Sequence, residues 1–193
     1  MPPFGYIGFC MDHISECSGG TDEPELFTLD EARQGEMESI NTAVNALPEV
    51  EDIALYGRSE FWTYAETRGG DCEDLALEKR RRLMAIGWPA DSVLIATTRD
   101  RNGEGHAVLI ATTDKGDFVL DNRDRNIKLW SQTDYQWRAR QSRKRPFIWL
   151  NADATKFAET PAASYPPLGR TAPFLEASVT ASLKAIKPSF PAF

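Results

Sequence analysis

Gly69-Gly70-Asp71-Cys72-Glu73-Asp74-Leu75-Ala76 sets a cysteine at the start of an amphipathic segment. Behind it, Leu75, Ala76, Lys79, Leu83 and Ile86 share one helical face, so a helix is expected from Cys72 to about Ile86. Asp71 stands at the N-cap position, and Gly87 followed by Pro89 ends the run. Lys79-Arg80-Arg81-Arg82 load its later half with positive charge, which suits the negative end of the helix dipole. The first turn of a helix leaves N–H groups unpaired and carries partial positive charge, and both favour a thiolate over a thiol.

Past this helix the pattern changes to short runs rich in Val, Leu, Ile and Thr. Residues 92–98, 106–113 and 117–120 read as strands, with turns at 99–103 and 114–116. Shorter strands are expected near 126–130 and 147–150. Upstream, Thr28 and Glu31 fit a capping box for a helix over 30–47. Its stripe is Met37, Ile40, Val44 and Leu47, and Pro48 stops it. Residues 1–27 read as an irregular lead-in, and 50–70 as a loop carrying Tyr56, Phe61, Trp62 and Tyr64. Helices followed by an antiparallel meander make an α+β fold.

The chain has 193 residues, 41% hydrophobic and 26% charged, enough to bury a stable core. A net charge of −7 argues against nucleic acid as a partner. No apolar run approaches the roughly 20 residues that span a membrane. Met1-Pro2-Pro3-Phe4-Gly5 lacks the form of a secretion signal. Residues 151–193 hold six of the twelve prolines and much Ala, Ser and Thr, which separates a tail from a domain over 1–150. Leu175, Val179, Leu183 and Ile186 fall on one helical stripe there, so a helix over 171–186 and a mobile tail are both compatible with it.

Three cysteines divide into a pair and a singleton. Cys10 and Cys17 lie seven positions apart among glycines and prolines, where a disulfide would pin the terminus and mark an oxidising compartment. Free thiols in a reducing cytosol are the alternative. Cys72, the odd one out, carries the nucleophile features. Of the two histidines, His13 lies between Cys10 and Cys17, whereas His106 opens a strand in Gly103-Glu104-Gly105-His106-Ala107-Val108-Leu109. Asp121 closes the next strand in Phe118-Val119-Leu120-Asp121-Asn122. Cys, His and Asp in this order suit a thiol nucleophile, its base and the base's orienter. If the two strands pair across their turn, His106 and Asp121 meet, and a helix packed on the sheet brings Cys72 to them.

Asp71, Glu73 and Asp74 crowd the thiol and oppose its ionisation. Arg68 could neutralise them, or a hard divalent cation could bind their oxygens. The residues alone favour a plainer arrangement, with Asp71 capping the helix and Glu73 and Asp74 facing water. Trp62 reads as a core aromatic or a cleft wall, with an indole N–H able to serve an oxyanion. The basic run Arg138 to Arg145 reads as a solvated face.

Together, Gly70-Asp71-Cys72-Glu73-Asp74, Gly105-His106-Ala107-Val108-Leu109 and Val119-Leu120-Asp121-Asn122 resemble the bacterial transglutaminase-like cysteine proteinases. That family includes periplasmic proteases that release biofilm adhesins from the cell surface. The resemblance covers about residues 4–150, including Phe9-Cys10, Glu16-Cys17 and the Tyr56-Gly57 to Trp62 segment. It implies a papain-like, transglutaminase-like core of helices packed on an antiparallel sheet. It carries the nucleophile onto Cys72, the base onto His106 and the orienting acid onto Asp121. It also implies calcium held by Asp71 and Glu73, a protein substrate such as a surface adhesin, a membrane receptor as regulator, and the periplasm. The missing signal and the proline-rich tail depart from the family, and keep the cytoplasm as the alternative location. The expected function is a cysteine endopeptidase. Acyl transfer to an amine or glutamine deamidation would use the same triad, and a catalytically idle binding module would keep the fold alone.

Overall fold

Five helices and a six-stranded antiparallel sheet make up the computed structural model, which describes residues 1–151. The helices are α1 (Phe4–Asp12), α2 (Ile14–Cys17), α3 (Glu31–Asn45), α4 (Asp52–Tyr56) and α5 (Cys72–Ala85). The strands are β1 (Val93–Arg99), β2 (Gly105–Thr113), β3 (Gly116–Leu120), β4 (Lys128–Leu129), β5 (Gln136–Gln141) and β6 (Trp149–Asn151). They lie in the order β4-β3-β2-β1-β5-β6. β1, β2 and β3 form the expected meander, with Thr98 opposite His106 and Leu109 opposite Leu120.

β2 and β3 read as continuous apolar runs because both sheet faces are covered. On one face Leu109, Ala111, Phe118 and Leu120 pack with Leu77 and Leu83 of α5 and Met37 of α3. On the other, Val108, Ile110 and Val119 pack beneath the half-buried rings of Trp130, Tyr135 and Trp137. α5 ends as its sequence requires. Gly87 takes a left-handed φ of +98°, its N–H donates to Met84 O at 3.0 Å, and Trp88 N–H reaches Leu83 O at 3.1 Å.

Four expectations need correction. The 50–70 stretch is not all loop, since Asp52–Tyr56 forms α4. The cap of α3 is Asp30, not Thr28: its Oδ1 accepts the Arg33 N–H at 2.8 Å. The first part of the lead-in is not irregular: residues 4–17 fold as α1 and α2, and α1 buries Tyr6 and Phe9, while 18–27 carry no helix. Gly5, which resembles a breaker, is where the indole of Trp62 crosses α1; a Cβ there would stand 2.1 Å from Trp62 Cδ1. Arg138 to Arg145 is a solvated face only in part: Arg138, Lys144 and Arg145 are exposed, but β5 inserts beside β1. Arg140 is buried and ion-pairs with Asp117 at 3.3 Å. Buried Arg143 donates to Asp91 O at 3.0 Å and to Glu25 O at 2.5 Å. The partners of both arginines lie far off in sequence, so the run alone reads as polar.

Cys10 and Cys17 are joined in a disulfide with a Cα–Cα distance of 5.6 Å, closing the α1–α2 turn. Tyr6 anchors that turn to the sheet, its hydroxyl accepting from buried Gln141 Nε2 at 2.6 Å. Among the described residues no helix is long and apolar enough to cross a membrane. The stretch 171–186 lies outside them.

Because the closed loop is short, the disulfide is expected to contribute about 2 kcal/mol. Replacing Cys10 and Cys17 by serine should therefore lower Tm by about 4–8 °C. Thermal unfolding of the double variant against the parent checks this, and equal Tm values would show that the helices hold the terminus unaided.

Candidate active site

His106 and Asp121 meet because β2 and β3 pair as neighbours. One step beyond the Leu109–Leu120 pair places Asp121 opposite Val108, two residues from His106. His106 Nε2 lies 2.8 Å from Asp121 Oδ1, and both side chains are buried. Three further contacts hold the carboxylate and its backbone. Arg123 N–H donates to Oδ1 at 2.9 Å, Tyr135 O–H donates to Oδ2, and Asn45 Nδ2 donates to the Asp121 carbonyl at 2.7 Å. Burial works against the charge of Asp121, yet the hydrogen bonds from His106 and Tyr135 hold its carboxyl below the usual range. With Nε2 engaged, His106 Nδ1 is the nitrogen left over; it is buried and has no hydrogen-bond partner among the described residues.

Cys72 reaches this pair from α5. The N–H of Ala107, the residue after His106, points to Cys72 Sγ at 3.4 Å. The thiol itself donates to Glu73 Oε2 at 3.1 Å. Burial, then the Glu73 charge, push the thiol well above its ordinary range, against the helix terminus and the Ala107 N–H.

The acids beside the thiol neither cap the helix nor face water. Asp71 occupies the N-cap position, but its side chain makes no capping hydrogen bond. Glu73 and Asp74 are buried. Asp74 accepts the Thr63 N–H at 2.8 Å. Asp52 of α4, which the sequence reading did not single out, joins them. Its Oδ2 accepts the Phe61 N–H, and oxygens of Asp52, Asp71 and Glu73 lie within 4.8 Å of one another. Burial, reinforced by the charges of Glu73 and Asp52, raises Asp71, and burial also raises Asp52 and Glu73. Asp74 is pushed up to about 8, chiefly by burial. No Lys or Arg of the described residues ion-pairs with these four acids. Arg68 stands over the Tyr56 ring instead, 5.6 Å from its centroid.

The remaining sequence candidates fall away from this constellation. His13 is packed between Phe9 and Tyr64. Trp62 is a core aromatic, edge-on to Tyr6 and Trp149. Tyr135, Asn45 and Asp52 carried no local signal, since each meets the site only through tertiary packing.

The sequence profile of the bacterial transglutaminase-like cysteine proteinases, BTLCP, matches residues 1–156, and the chain belongs to that family. Among solved structures, calcium-bound LapG of Legionella pneumophila is 24% identical with a TM-score of 0.50, over 55% of this chain and 64% of that one. EGTA-treated LapG is 22% identical with a TM-score of 0.53, over 64% and 69%. This chain thus spans under two thirds of the calcium-bound chain, and the likeness establishes the transglutaminase-like fold. No curated protein matches the chain.

A pH dependence follows from the acids. Their folded-state pKa values lie above the unfolded ones, so their contribution to stability is fully present below the ordinary carboxylate range. It is lost as pH rises through the folded values, which for Asp74 spans 3.8 to about 8. In metal-free buffer, Tm should fall between pH 5 and pH 8 by at least the 2–4 °C that about 1 kcal/mol produces in a domain of this size. Asp52→Asn should flatten the profile. A parental Tm independent of pH in that window would contradict the burial argument.

Proposed function

We propose that this chain is a cysteine endopeptidase with Cys72 as nucleophile, His106 as base and Asp121 as the acid that fixes the base, in a domain of residues 1–150. One observation carries the reading. The buried His106–Asp121 pair leaves Nδ1 unpartnered, one residue from the N–H that reaches Cys72 Sγ. In the first half-reaction Nδ1 takes the thiol proton and Sγ attacks the peptide carbonyl carbon. The resulting oxyanion is met by N–H groups of the first helical turn, that of Cys72 among them. The imidazolium then protonates the leaving amine as the C–N bond breaks. Water, deprotonated by His106, hydrolyses the thioester and restores the thiol. Asp121 keeps the proton on Nε2 throughout, so that Nδ1 stays available.

Calcium fits the acids beside the thiol. Asp52, Asp71 and Glu73 offer hard oxygen donors, and Asp52 Oδ1 and Asp71 Oδ1 are buried with no protein partner. A bound calcium supplies the positive charge that lets these carboxylates remain ionised next to a thiol that must lose its own proton. The calcium-bound and EGTA-treated states of LapG support this assignment. Family membership supports a protein substrate; a surface adhesin as that substrate and a membrane receptor as regulator are proposed with it. The Cys10–Cys17 disulfide supports the periplasm.

Purified protein incubated with candidate surface proteins should yield defined fragments by mass spectrometry, and Cys72→Ala should yield none. His106→Ala should lower the rate about 1,000-fold or more, while His13→Ala should leave it unchanged. Exhaustive chelation should cost at least about tenfold in rate. Calcium should restore it and magnesium should do so poorly, because magnesium demands a smaller octahedral shell. Cleavage by Cys72→Ala at the parental rate would overturn the mechanism. Full activity after chelation would overturn the calcium assignment.

A further inference from the structure

We propose that Lys79 is a positioning residue for the Cys72–His106–Asp121 site, its buried cation balancing Asp121 from the core side. The inference rests on the roles proposed above for those three residues. Lys79 follows Cys72 by seven residues, two turns along α5, and so lies on the same helical face. Only 1% of it is exposed. Its ammonium donates to the carbonyl of Leu120, the residue before Asp121, at 3.4 Å. The helix that presents the nucleophile is thereby tied to the strand end that presents the acid.

A purely structural role accounts poorly for a lysine here. The rest of this face is Leu75, Ala76 and Leu83, and an apolar side chain would fill the space without the cost of burying an amine. One hydrogen bond at 3.4 Å to a neutral carbonyl is a weak return for that cost. No carboxylate ion-pairs with Lys79 among the described residues. Burial brings its pKa down to about 7, and the charge that opposes this is that of Asp121.

The Asp121 carboxylate is held by His106, by the phenol of Tyr135 and by the backbone N–H of Arg123. The Arg123 guanidinium turns away to Asp100, at 3.0 Å. Lys79 is the cation whose ammonium reaches the strand end beside Asp121, through the Leu120 carbonyl. With Asp121 balanced from beneath, the carboxylate stays ionised and seated as the His106 ring passes between its neutral and charged forms.

The test uses the full chain with Lys79→Met and Lys79→Gln, calcium present throughout. Three quantities are read: kcat and KM for peptide cleavage, Tm, and the low-field proton resonance of the His106–Asp121 hydrogen bond. With only two histidines in the chain, His13→Gln assigns that resonance. We expect kcat to fall about 10- to 100-fold in both variants, the cost of a small misplacement at the reacting groups. KM should stay within about twofold, since no substrate contact is removed. The resonance should be displaced. Tm should change little, because apolar replacement of a buried ion is often neutral. Parental kcat and an unmoved resonance in either variant would overturn the proposal. So would a loss of kcat that accompanies a fall in Tm with the resonance unmoved, which would make Lys79 merely structural. If the parent shows no Cys72-dependent cleavage, the endopeptidase reading fails, and the resonance still decides whether Lys79 acts on Asp121.

Discussion

The start of α5 has to lie over the start of β2, and the rest of the site depends on that placement. The Ala107 N–H on Cys72 Sγ is its direct expression. Two glycines permit it. Gly69 has a φ of +78°, and a Cβ there would stand 1.9 Å from Pro48 O. A Cβ on Gly70 would stand 2.4 Å from Asp74 Oδ2. The chain can therefore pass against Pro48, pair through Gly70 N–H to Pro48 O at 3.2 Å, and turn directly into α5. The hairpin of β2 and β3 does the rest, since strand register alone brings His106 to Asp121.

That placement is costly, because it crowds ionisable groups into a dry volume. Asp52, Asp71, Glu73 and Asp74 share the space around the first turn of α5 without a lysine or arginine ion-pair partner among the described residues. Residues selected for stability alone would not be arranged so, and such conflicts gather where chemistry requires them. The stabilising contacts come from elsewhere: the apolar layer between α5 and the sheet, and buried pairs such as Arg140 with Asp117.

The sequence was most legible where one local rule governs. α5, the β1–β2–β3 meander and the turn glycine Gly87 follow from periodicity and helix-stop chemistry. The Cys72 and His106 candidates follow from scarcity, there being three cysteines and two histidines in the chain, and Asp121 follows from its place at a strand end. Legibility failed where a residue's partner is remote. Asp30 and Thr28 are equally good caps on paper, and only the path of the chain selects Asp30. Arg140 and Arg143 read as solvated because Asp117, Asp91 and Glu25 lie far away in sequence. The lead-in looked irregular because Gly5 and Gly8 suggest breaks. Gly5 is in fact the smooth face of α1 against which Trp62 packs. Tyr135 and Asp52 were silent for the same reason, each entering the site from a segment with no pattern of its own.

The hydrogen bond from the Cys72 thiol to Glu73 shows how the acids bear on the chemistry. A thiol has one proton, and here a carboxylate accepts it. Glu73 and His106 Nδ1 are thus rivals for the same hydrogen, and the buried negative charge favours the state in which sulfur keeps it. A cation held by the Glu73 oxygens would remove the rival acceptor and the repulsion together. Asp52 belongs to the same acidic cluster and also accepts the Phe61 N–H, so it links the cluster to the segment that leads toward the site. On the proposed reading, the acids that look ill-placed beside a nucleophile would make its reactivity conditional on a bound cation.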